Sequence, residues 1–265
     1  MKKKALSFAA VAAAGLLTLS ACGSGSAEPE GPTVEAGKLI HCMNAPYPPF
    51  EVAEGDGFAG FDIDLGEKLA EQMGLEYEAL NISFESLESG IALDSNQCDI
   101  IIAGMAITEE RASKMDFTEK YLNDSLAILT KAGAGITSEA DLAGHAVGAQ
   151  QGTTGEDLAT DNGATVTQFE DAGLMIQAVS TGQVEAAIAN VSIVADAVTS
   201  NEGLELAASL DTGEVVGAAV RKGNTELLTE WDTMMTALRE SGEYDALVDE
   251  WFGEVADAAR VTPEA

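Results

Sequence analysis

The segment DIIIAGMAITEER, residues 99–111, decides the fold predicted for this chain. Its apolar run predicts a buried strand, its glycine ends that strand, and Thr108-Glu109-Glu110 is typical of a helix start. Arg111 and free backbone N–H groups would then lie at the carboxyl end of the strand, where open α/β sheets bind ligands. A cation at a helix start, where the helix dipole disfavours it, indicates an anionic target. A solvent-facing arginine in an ordinary first turn is the alternative, and this segment alone leaves both open.

The composition is that of a globular protein with a strong negative charge. A chain of 265 residues is long enough for one large domain or two small domains with proper cores. Its hydrophobic content of 46% is typical of a globular protein. Only 13 Lys and Arg face 45 Asp and Glu, so the formal net charge is −32. A field of this sign repels nucleic acid and anionic lipid, and neither is expected as a partner.

Residues 1–21 have the features of an export signal peptide. Three lysines precede an apolar run that is too short to cross a membrane comfortably. The run closes with Leu19-Ser20-Ala21-Cys22, which resembles the lipobox of bacterial lipoproteins, in which the cysteine is diacylated and becomes the mature N-terminus. Lipidation of Cys22 would place the protein at the extracytoplasmic face of the cell membrane. Ordinary secretory cleavage, with Cys22 incidental, is the alternative.

Residues 22–37 are expected to form a flexible tether. The segment is rich in Gly, Ser, Pro and Glu and has no apolar period. Flexible-chain scaling gives it a reach of about 20 Å. It would therefore hold a globular body just off the membrane.

The body begins with alternating strands and helices. Strands are predicted over residues 39–43, 76–80 and 98–103, with helices between them, and a βαβαβ run of this kind indicates a largely parallel sheet. The loop 44–50 contains three prolines, which fix its backbone. It can therefore present its two aromatic side chains with little entropy left to lose.

A second helix start follows the strand predicted over residues 145–149. The loop 150–154 carries a glycine and two hydroxyl residues and leads into a helix at Gly155, which predicts a second anion-binding helix start. Two such starts could clamp one carboxylate. A phosphate site is the competing interpretation, but the complete Walker pattern is absent from the sequence.

Five ordered motifs of the chain are similar to those of a known family. They are PYPPFE, GFDIDL, QCDIIIAGMAITEERASKMDFT, DLAGHAVGAQQGTTGEDLA and GEYDALVDEWFG, and the similarity covers about residues 37–253. With them the chain resembles the polar amino-acid branch, family 3, of the extracytoplasmic solute-binding proteins of ABC importers. The resemblance implies an α/β fold with two lobes, a periplasmic-binding-protein-like clamshell in which each lobe is a mainly parallel sheet flanked by helices.

The resemblance also implies how the chain is divided. Two hinge crossings, near residues 121–125 and 213–217, would join the lobes, and a ligand would be closed into the cleft between them. The implied parts are lobe 1 over residues 38–123 and 216–253, lobe 2 over residues 124–215, and a frayed tail over residues 254–265.

Roles for residues of the cleft follow from the same resemblance. An arginine would grip the α-carboxylate of the ligand, helped by backbone amides of both helix starts. Two aromatic residues would enclose the ligand side chain, and two polar residues would hold its α-ammonium. Arg111 is the predicted arginine, and the backbone amides are predicted at Gly104, Ala106, Thr153 and Thr154. The aromatic residues are Tyr47 and Phe84, and the two polar residues are Asn44 and Asn190. Gln150 could contact the far end of the ligand or be a solvated edge residue.

Three of these residues depart from the family pattern. Ala106 stands where a serine or threonine hydroxyl is usual, and Asn44 and Asn190 stand where aspartates are expected. The formal countercharge for an ammonium is therefore missing, and a charge-assisted hydrogen bond is about twice as strong as a neutral one. Glu51, Asp171 or another acid could restore the charge, and Asn190 could instead cap a turn. The preferred ligand therefore need not be a standard α-amino acid.

Cysteine and histidine chemistry is expected to be sparse. Aligning the predicted strands at their carboxyl ends places Cys98 about 13 Å from the level of Cys42 at ordinary strand rise, too far for a disulfide. His41 and His145 have no third ligand at metal spacing, so neither a metal site nor another cofactor is predicted.

Two classes of function fit this sequence. The first is a monomeric, non-catalytic receptor that captures an amino acid or related carboxylate and delivers it to the membrane subunits of an ABC permease. The second is an enzyme on the same fold, a lyase similar to cyclohexadienyl dehydratase, because fold alone does not exclude catalysis. No nucleophile, base and orienting group come together in the sequence, which favours the receptor.

Overall fold

Strands and helices alternate along most of residues 31–261, which a computed structural model describes. The strands are β1 (Lys38–Met43), β2 (Val52–Glu54), β3 (Gly57–Ala59), β4 (Glu76–Asn81), β5 (Ile100–Ile101), β6 (Asp116–Phe117), β7 (Leu122–Asn123), β8 (Leu126–Lys131), β9 (Ala146–Gln150), β10 (Thr165–Phe169), β11 (Ala186–Asn190), β12 (Leu204–Leu210), β13 (Val215–Val216) and β14 (Ala219–Val220). The helices are α1 (Phe61–Met73), α2 (Phe84–Glu88), α3 (Ile91–Asp94), α4 (Glu109–Lys114), α5 (Thr154–Asp161), α6 (Ala172–Thr181), α7 (Val191–Ser200), α8 (Thr225–Ser241), α9 (Glu243–Phe252) and α10 (Ala256–Ala259), with 3-10 turns at Glu139–Leu142 and Gly253–Val255.

Two five-stranded sheets form the centres of two lobes. Sheet 1 of lobe 1 has the strand order β4-β1-β5-β14-β6, and sheet 2 of lobe 2 has the order β10-β9-β11-β8-β12. In each sheet four strands run in one direction and one runs in the opposite direction. The reversed strands are β14 and β8, and each follows directly after the chain has passed from the other lobe. The predicted two-lobed α/β fold with mainly parallel sheets is confirmed.

The two passages of the chain between the lobes lie side by side. β7 and β13 pair in an antiparallel ladder, with Val215 opposite Asn123. β13 also contacts the segment before α4, because the Ile107 N–H donates to the Val215 carbonyl at 2.9 Å. Two crossings therefore exist where the hinges are predicted, while the lobe boundaries at residues 124 and 216 stay predictions.

Burial follows the periodicity of the sequence. Every residue of β1 after the first is buried, as expected for a central strand that is covered on both faces. On α1, Phe61, Leu65 and Leu69 recur at helical spacing and pack into the core. The helix ends at Gly74, whose φ of +68° glycine adopts without steric strain.

Two predicted elements are shorter than expected. The strand predicted over residues 98–103 is reduced to β5, because the chain bends at Asp99, whose carboxylate accepts a hydrogen bond from the Ile40 N–H at 2.7 Å. The helix predicted around residues 84–93 is split into α2 and α3 at Gly90, which has a φ of +78°. One buried carboxylate and one glycine thus interrupt the periodic pattern.

The prediction that Cys42 and Cys98 cannot be bonded is wrong. The two residues form a disulfide, with their Cα atoms 5.8 Å apart. The register places Cys42 opposite Ile101 rather than Ile102, and the bend before β5 returns Cys98 toward β1 instead of extending it along a strand. The fold is therefore cross-linked between β1 and the segment that precedes β5.

Residues 254–261 are packed, although a frayed tail is predicted from residue 254 onward. Ala256 and Ala259 are buried, and the Asn123 side chain donates to the Arg260 carbonyl at 2.9 Å. The C-terminal segment thus lies against the first crossing. Small side chains make this contact, and such residues give only a weak hydrophobic pattern.

The last part of the predicted tether is attached to lobe 1. The Val34 N–H donates to the Asp99 carboxylate, and the Asn224 side chain donates to the Pro32 carbonyl at 2.9 Å. The predicted signal peptide, Cys22 and the first part of the tether lie outside the described residues. Within the described residues, no helix has the length and apolar content needed to span a membrane.

Candidate functional site

The carboxyl ends of central strands from both sheets face each other. Asn44 follows β1, and its Oδ1 accepts a hydrogen bond at 2.7 Å from Nε2 of Gln150, the last residue of β9. The Tyr47 hydroxyl, in the loop after β1, donates at 2.6 Å to Oδ1 of Asn190, the last residue of β11. All four side chains are buried. Four of the predicted site residues therefore meet in direct contacts between the lobes.

Arg111 also joins the two lobes. Thr108 caps α4 and fixes the position of Arg111, whose N–H donates to the Thr108 hydroxyl at 3.1 Å. Nη1 of Arg111 donates to the Ala106 carbonyl at 2.8 Å, and Nη2 donates to the Gly152 carbonyl of lobe 2 at 2.9 Å. The guanidinium lies 5.3 Å from the centre of the Phe84 ring. Because only 4% of Arg111 is exposed, the solvent-facing alternative is wrong.

The charge of this arginine is fixed. Burial lowers the pKa of Arg111, while the nearby carboxylates of Glu88 and Glu214 oppose that effect. Arginine nevertheless stays protonated, because its ordinary pKa lies far above neutrality. Its planar group of parallel N–H donors matches the two oxygens of a carboxylate. The site therefore supplies one permanent positive charge in a place that holds little water.

The second predicted helix start is present at α5. The Thr153 hydroxyl caps this helix, since it accepts from the Glu156 N–H at 3.3 Å and donates to the Gln150 carbonyl at 2.7 Å. Thr154 is the first helical residue, and helix geometry leaves its N–H without an intrahelical acceptor. The Thr154 hydroxyl donates to Oε2 of Glu214 at 3.0 Å. Because Glu214 immediately precedes β13, this helix start contacts the second crossing.

The two predicted backbone donors of lobe 1 differ in availability. The Gly104 N–H donates to the buried Asp62 carboxylate at 2.7 Å and is therefore turned away from the cleft. Glycine is required here, because φ is +54° and a Cβ would stand 2.9 Å from the Tyr47 ring. In the described part of the chain the Ala106 N–H has no hydrogen-bond partner, since Ala106 and Val216 form a non-hydrogen-bonded pair. Of the two, only Ala106 can offer a free N–H to an anion.

Both asparagines are oriented by backbone carbonyls. Nδ2 of Asn44 donates to the Ile82 carbonyl at 2.7 Å, and Nδ2 of Asn190 donates to the Asp124 carbonyl at 2.8 Å. Each amide oxygen therefore points toward the opposite lobe. Asn190 makes no side-chain capping bond to α7, so the alternative of a turn-capping residue is wrong. The site thus presents two neutral acceptors, one from each lobe.

The two acids named as a replacement countercharge differ in position. Glu51 is fully buried, and both of its carboxylate oxygens lack a hydrogen-bond partner in the described residues. Burial and the nearby Asp62 raise the pKa of Glu51 well above its ordinary value, which disfavours its charged form. Asp171 caps α6, accepting from the Leu174 N–H at 2.8 Å, and also lines a polar cavity beside Asn44.

The sequence does not predict two acids that lie near Arg111. Glu88 lies at the end of α2, where it pairs with Lys114 at 3.4 Å, and a Cβ on Gly152 would stand 3.2 Å from it. Glu214 lies on the second crossing. No periodic pattern marks either residue, and the position of Glu214 beside a predicted hinge was the one signal that the sequence offered.

A polar cavity of about 380 Å³ opens between the lobes beside Asn44. Its lining includes Asn44, Ser83, Phe84 and Glu85 from lobe 1 and Gln151, Glu170 and Asp171 from lobe 2. Three carboxylates at its wall suit a polar or cationic group better than an apolar one. Nearby, the buried Oε1 of Gln150 has no hydrogen-bond partner among the described residues. A buried acceptor of this kind is normally satisfied, so the cleft can accommodate a donor.

The histidines take part in other contacts. The His41 ring lies 2.7 Å from the Tyr77 hydroxyl and 2.6 Å from the Ile102 carbonyl, and burial lowers its pKa to about 4. His145 lies 3.2 Å from the Glu185 carboxylate on the surface. Among the residues described, no three His, Cys, Asp or Glu side chains group closely enough to hold a metal ion.

Known proteins are similar to this chain over most of its length. The family model of the bacterial extracellular solute-binding proteins, family 3, matches residues 39–254. The arginine-binding extracellular protein ArtP of Bacillus subtilis (strain 168) is 32% identical over 248 residues, which cover 91% of this chain and 95% of ArtP.

Solved structures give the same result. The structure of an ancestral arginine-binding protein bound to arginine is 35% identical with a TM-score of 0.76, and the match covers 82% of this chain and 99% of the other. The structure of AncCDT-1, an ancestral amino acid-binding protein and a precursor of cyclohexadienyl dehydratase, is 30% identical with a TM-score of 0.74, and the match covers 82% and 96%. Since the family model spans both sheets and both crossings, the chain belongs to the bacterial extracellular solute-binding proteins of family 3.

Proposed function

We propose that the protein binds an amino acid or an amino-acid-like carboxylate between its lobes and delivers it to the membrane subunits of an ABC permease. Arg111 carries the proposal, because it is buried in the cleft and donates to carbonyls of both lobes. A ligand carboxylate that replaced those carbonyls would be held by one cation and by the N–H groups of Ala106 and Thr154. Such a ligand would contact both lobes and favour the closed arrangement.

The neutral acceptors of the site bear on the ligand amine. Without a carboxylate at positions 44 and 190, the binding free energy of a ligand with a free α-ammonium exceeds that of a ligand with a substituted or cyclic nitrogen by less. The unpartnered Oε1 of Gln150 supports a ligand that brings at least one N–H donor. The carboxylates that line the neighbouring cavity support a polar or basic side chain, in keeping with the arginine named for ArtP.

The leader supports an anchored location for this receptor. We propose that Cys22 is lipidated and holds the protein, as a monomer, at the extracytoplasmic face of the cell membrane. Residues 32–34, which are bonded to lobe 1, would then lie between the anchor and the globular body.

Calorimetry on residues 23–265 tests the binding proposal. The titrants are the standard amino acids together with N-methylated, cyclic and deaminated analogues. We expect at least one to bind, and we expect Arg111→Ala to weaken that binding at least about 100-fold, since removing one partner of a buried charge-assisted contact costs about 3–5 kcal/mol. Arg260→Ala is the matched control, because Arg260 pairs with acids of the C-terminal helices and lies outside the candidate site.

Two results would count against the proposal. A folded Arg111→Ala protein with unchanged affinity would remove Arg111 from the site, and a panel without any binder would remove the proposed ligand class. Mass spectrometry of an incubated ligand then separates the receptor from an enzyme on the same fold. A receptor returns its ligand unchanged, whereas a lyase similar to cyclohexadienyl dehydratase lowers the mass of its substrate by the groups that it eliminates.

A further inference from the structure

Glu214 lies where the second crossing meets the start of α5. Its carbonyl accepts from the Asp124 N–H of the first crossing at 3.2 Å, so its backbone is held by the hinge ladder. Its carboxylate reaches the other way and accepts the Thr154 hydroxyl hydrogen bond at 3.0 Å. The ligand carboxylate is assigned above to the backbone N–H of the same residue. The protein therefore places a carboxylate of its own beside a donor that the ligand is expected to use.

The same carboxylate lies in the field of Arg111. Burial raises the pKa of Glu214, and the Thr154 hydrogen bond and the Arg111 charge oppose that effect. Burial lowers the pKa of Arg111, and the Glu88 and Glu214 charges oppose that effect. Among the described residues, no carboxylate oxygen lies within 4 Å of an Arg111 nitrogen, so Glu214 approaches the guanidinium without forming a direct ion pair. Glu214 thus accepts from the Thr154 hydroxyl and lies in the field of Arg111. The N–H groups of the guanidinium donate to other acceptors.

The backbone beside Glu214 contacts the remaining part of that clamp. Val215 accepts from the Ile107 N–H, and Val216 lies opposite Ala106, whose carbonyl accepts from Arg111. One short stretch of the second crossing therefore touches the α5 start through a side chain and the Arg111 site through its backbone. The clamp is therefore in direct contact with a crossing that joins the lobes.

We propose that Glu214 is an affinity- and specificity-determining residue, an internal carboxylate that competes with the ligand carboxylate at the start of α5, where it already holds the Thr154 hydroxyl, and for the Arg111 charge. The inference rests on the proposed function, in that it takes the Arg111 and Thr154 pair as the carboxylate clamp. The negative charge of Glu214 opposes ligands that are simple anions. A zwitterionic ligand carries a compensating positive charge and is opposed less.

Acetate, a carboxylate without any further group, is the probe. Thermal unfolding of the wild-type protein, Glu214→Gln and Glu205→Gln is followed while sodium acetate is titrated at constant ionic strength. Glu205→Gln is the matched control, because the Glu205 carboxylate also accepts from a threonine hydroxyl, that of Thr130 at 3.4 Å, on the outer part of lobe 2. The neutral analogue acetamide is titrated in parallel.

We expect Glu214→Gln to be stabilised by acetate at about tenfold lower concentration than the other two proteins, because one charge-assisted competitor is removed. Acetamide should not separate the three proteins. Glu214→Asp, which withdraws the carboxylate by one methylene, should shift the acetate response in the same direction and serves if the glutamine variant does not fold. Adding Thr154→Val should reduce the difference, since Glu214 then loses the hydrogen bond that holds its carboxylate at the start of α5.

Other outcomes overturn the inference. An acetate response that is equal in all three proteins, or undetectable in all three, means that Glu214 does not compete at an anion clamp. A weaker response in Glu214→Gln means that Glu214 assists the ligand rather than opposing it. A shift that acetamide reproduces means that the residue acts only through the fold. Because acetate reports on the clamp alone, these results are separate from the amino-acid panel, on which the proposed function stands or falls.

Discussion

Removing the disulfide between Cys42 and Cys98 should lower the stability of the protein by a large and calculable amount. The bond closes a loop with a sequence separation of 56, and both cysteines are fully buried. On the chain-entropy account, opening a loop of that length releases unfolded-state entropy worth about 4 kcal/mol at 25 °C. Natural domains are stable by only about 5–15 kcal/mol, so the loss is a large share of the total.

The variant for this measurement is Cys42→Ala combined with Cys98→Ala. Urea unfolding can be followed by the fluorescence of Trp231 and Trp251, which lie on the C-terminal helices of lobe 1. With an m-value of about 3 kcal/mol per molar urea, the midpoint should fall by more than about 1 M. Ligand affinity at low urea should stay near that of the wild-type protein, because neither sulfur faces the cleft.

A reductant provides the control for this experiment. The wild-type protein, once unfolded in reductant, should refold with the midpoint of the double variant, whereas the double variant itself should not respond to reductant. If mass spectrometry shows the wild-type bond to be intact and the double variant still loses less than about 1 kcal/mol, the entropic reasoning is refuted. Such a result would also mean that packing and the hydrogen bonds between Ile40 and Asp99 are enough to hold β1 to the bend before β5.

Two further predictions concern pH and attachment. The urea midpoint should be higher at about pH 5 than at about pH 7.5, because burial raises the pKa of Asp62 and of Asp124 from 3.8 to about 7. The folded state then binds more protons than the unfolded state between those pH values, so the free energy of unfolding falls as pH rises through this window. Asp124→Asn should make the urea midpoint depend less on pH, and an unchanged pH dependence in this variant would contradict the assignment. Cys22→Ala should release the protein into the medium or leave an unprocessed precursor, and a variant that stays processed and membrane-bound would exclude lipidation as the anchor.

The arrangement of strands was predictable because it follows from composition and period. Unbroken apolar runs predict the central strands, and the position of Arg111 after such a run places it at the cleft, whereas Asn44 and Asn190 are assigned to the cleft through the resemblance to the family. The disulfide was not predictable in the same way, because strand rise was applied across Cys98 although the chain bends there. At that bend the Asp99 carboxylate accepts hydrogen bonds from Ile40 of β1 and from Val34 of the tether, which no local pattern predicts.

The site was predicted less completely than the fold. Residues at strand ends can be located from the length of the apolar run before them. Glu88 and Glu214 instead lie near Arg111 because a short helix and a hinge bring them there. Their positions depend on how the two lobes meet, and this is a tertiary property. The loss of Gly104 as a donor has a similar origin, because the acid that takes its N–H, Asp62, lies on α1.

The departure from aspartate at position 190 is explained by the neighbours of that side chain. Asn190 uses both ends of its amide, since Nδ2 donates to the Asp124 carbonyl and Oδ1 accepts from Tyr47. An aspartate would set an acceptor against that carbonyl and place a charge next to Asp124, whose own carboxylate already takes the N–H and hydroxyl of Ser192. The surroundings therefore favour a neutral amide over an acid at this position. The negative charge of the described cleft lies instead on neighbouring residues: on Glu88 and Glu214 near Arg111, and on Glu85, Glu170 and Asp171 around the cavity beside Asn44.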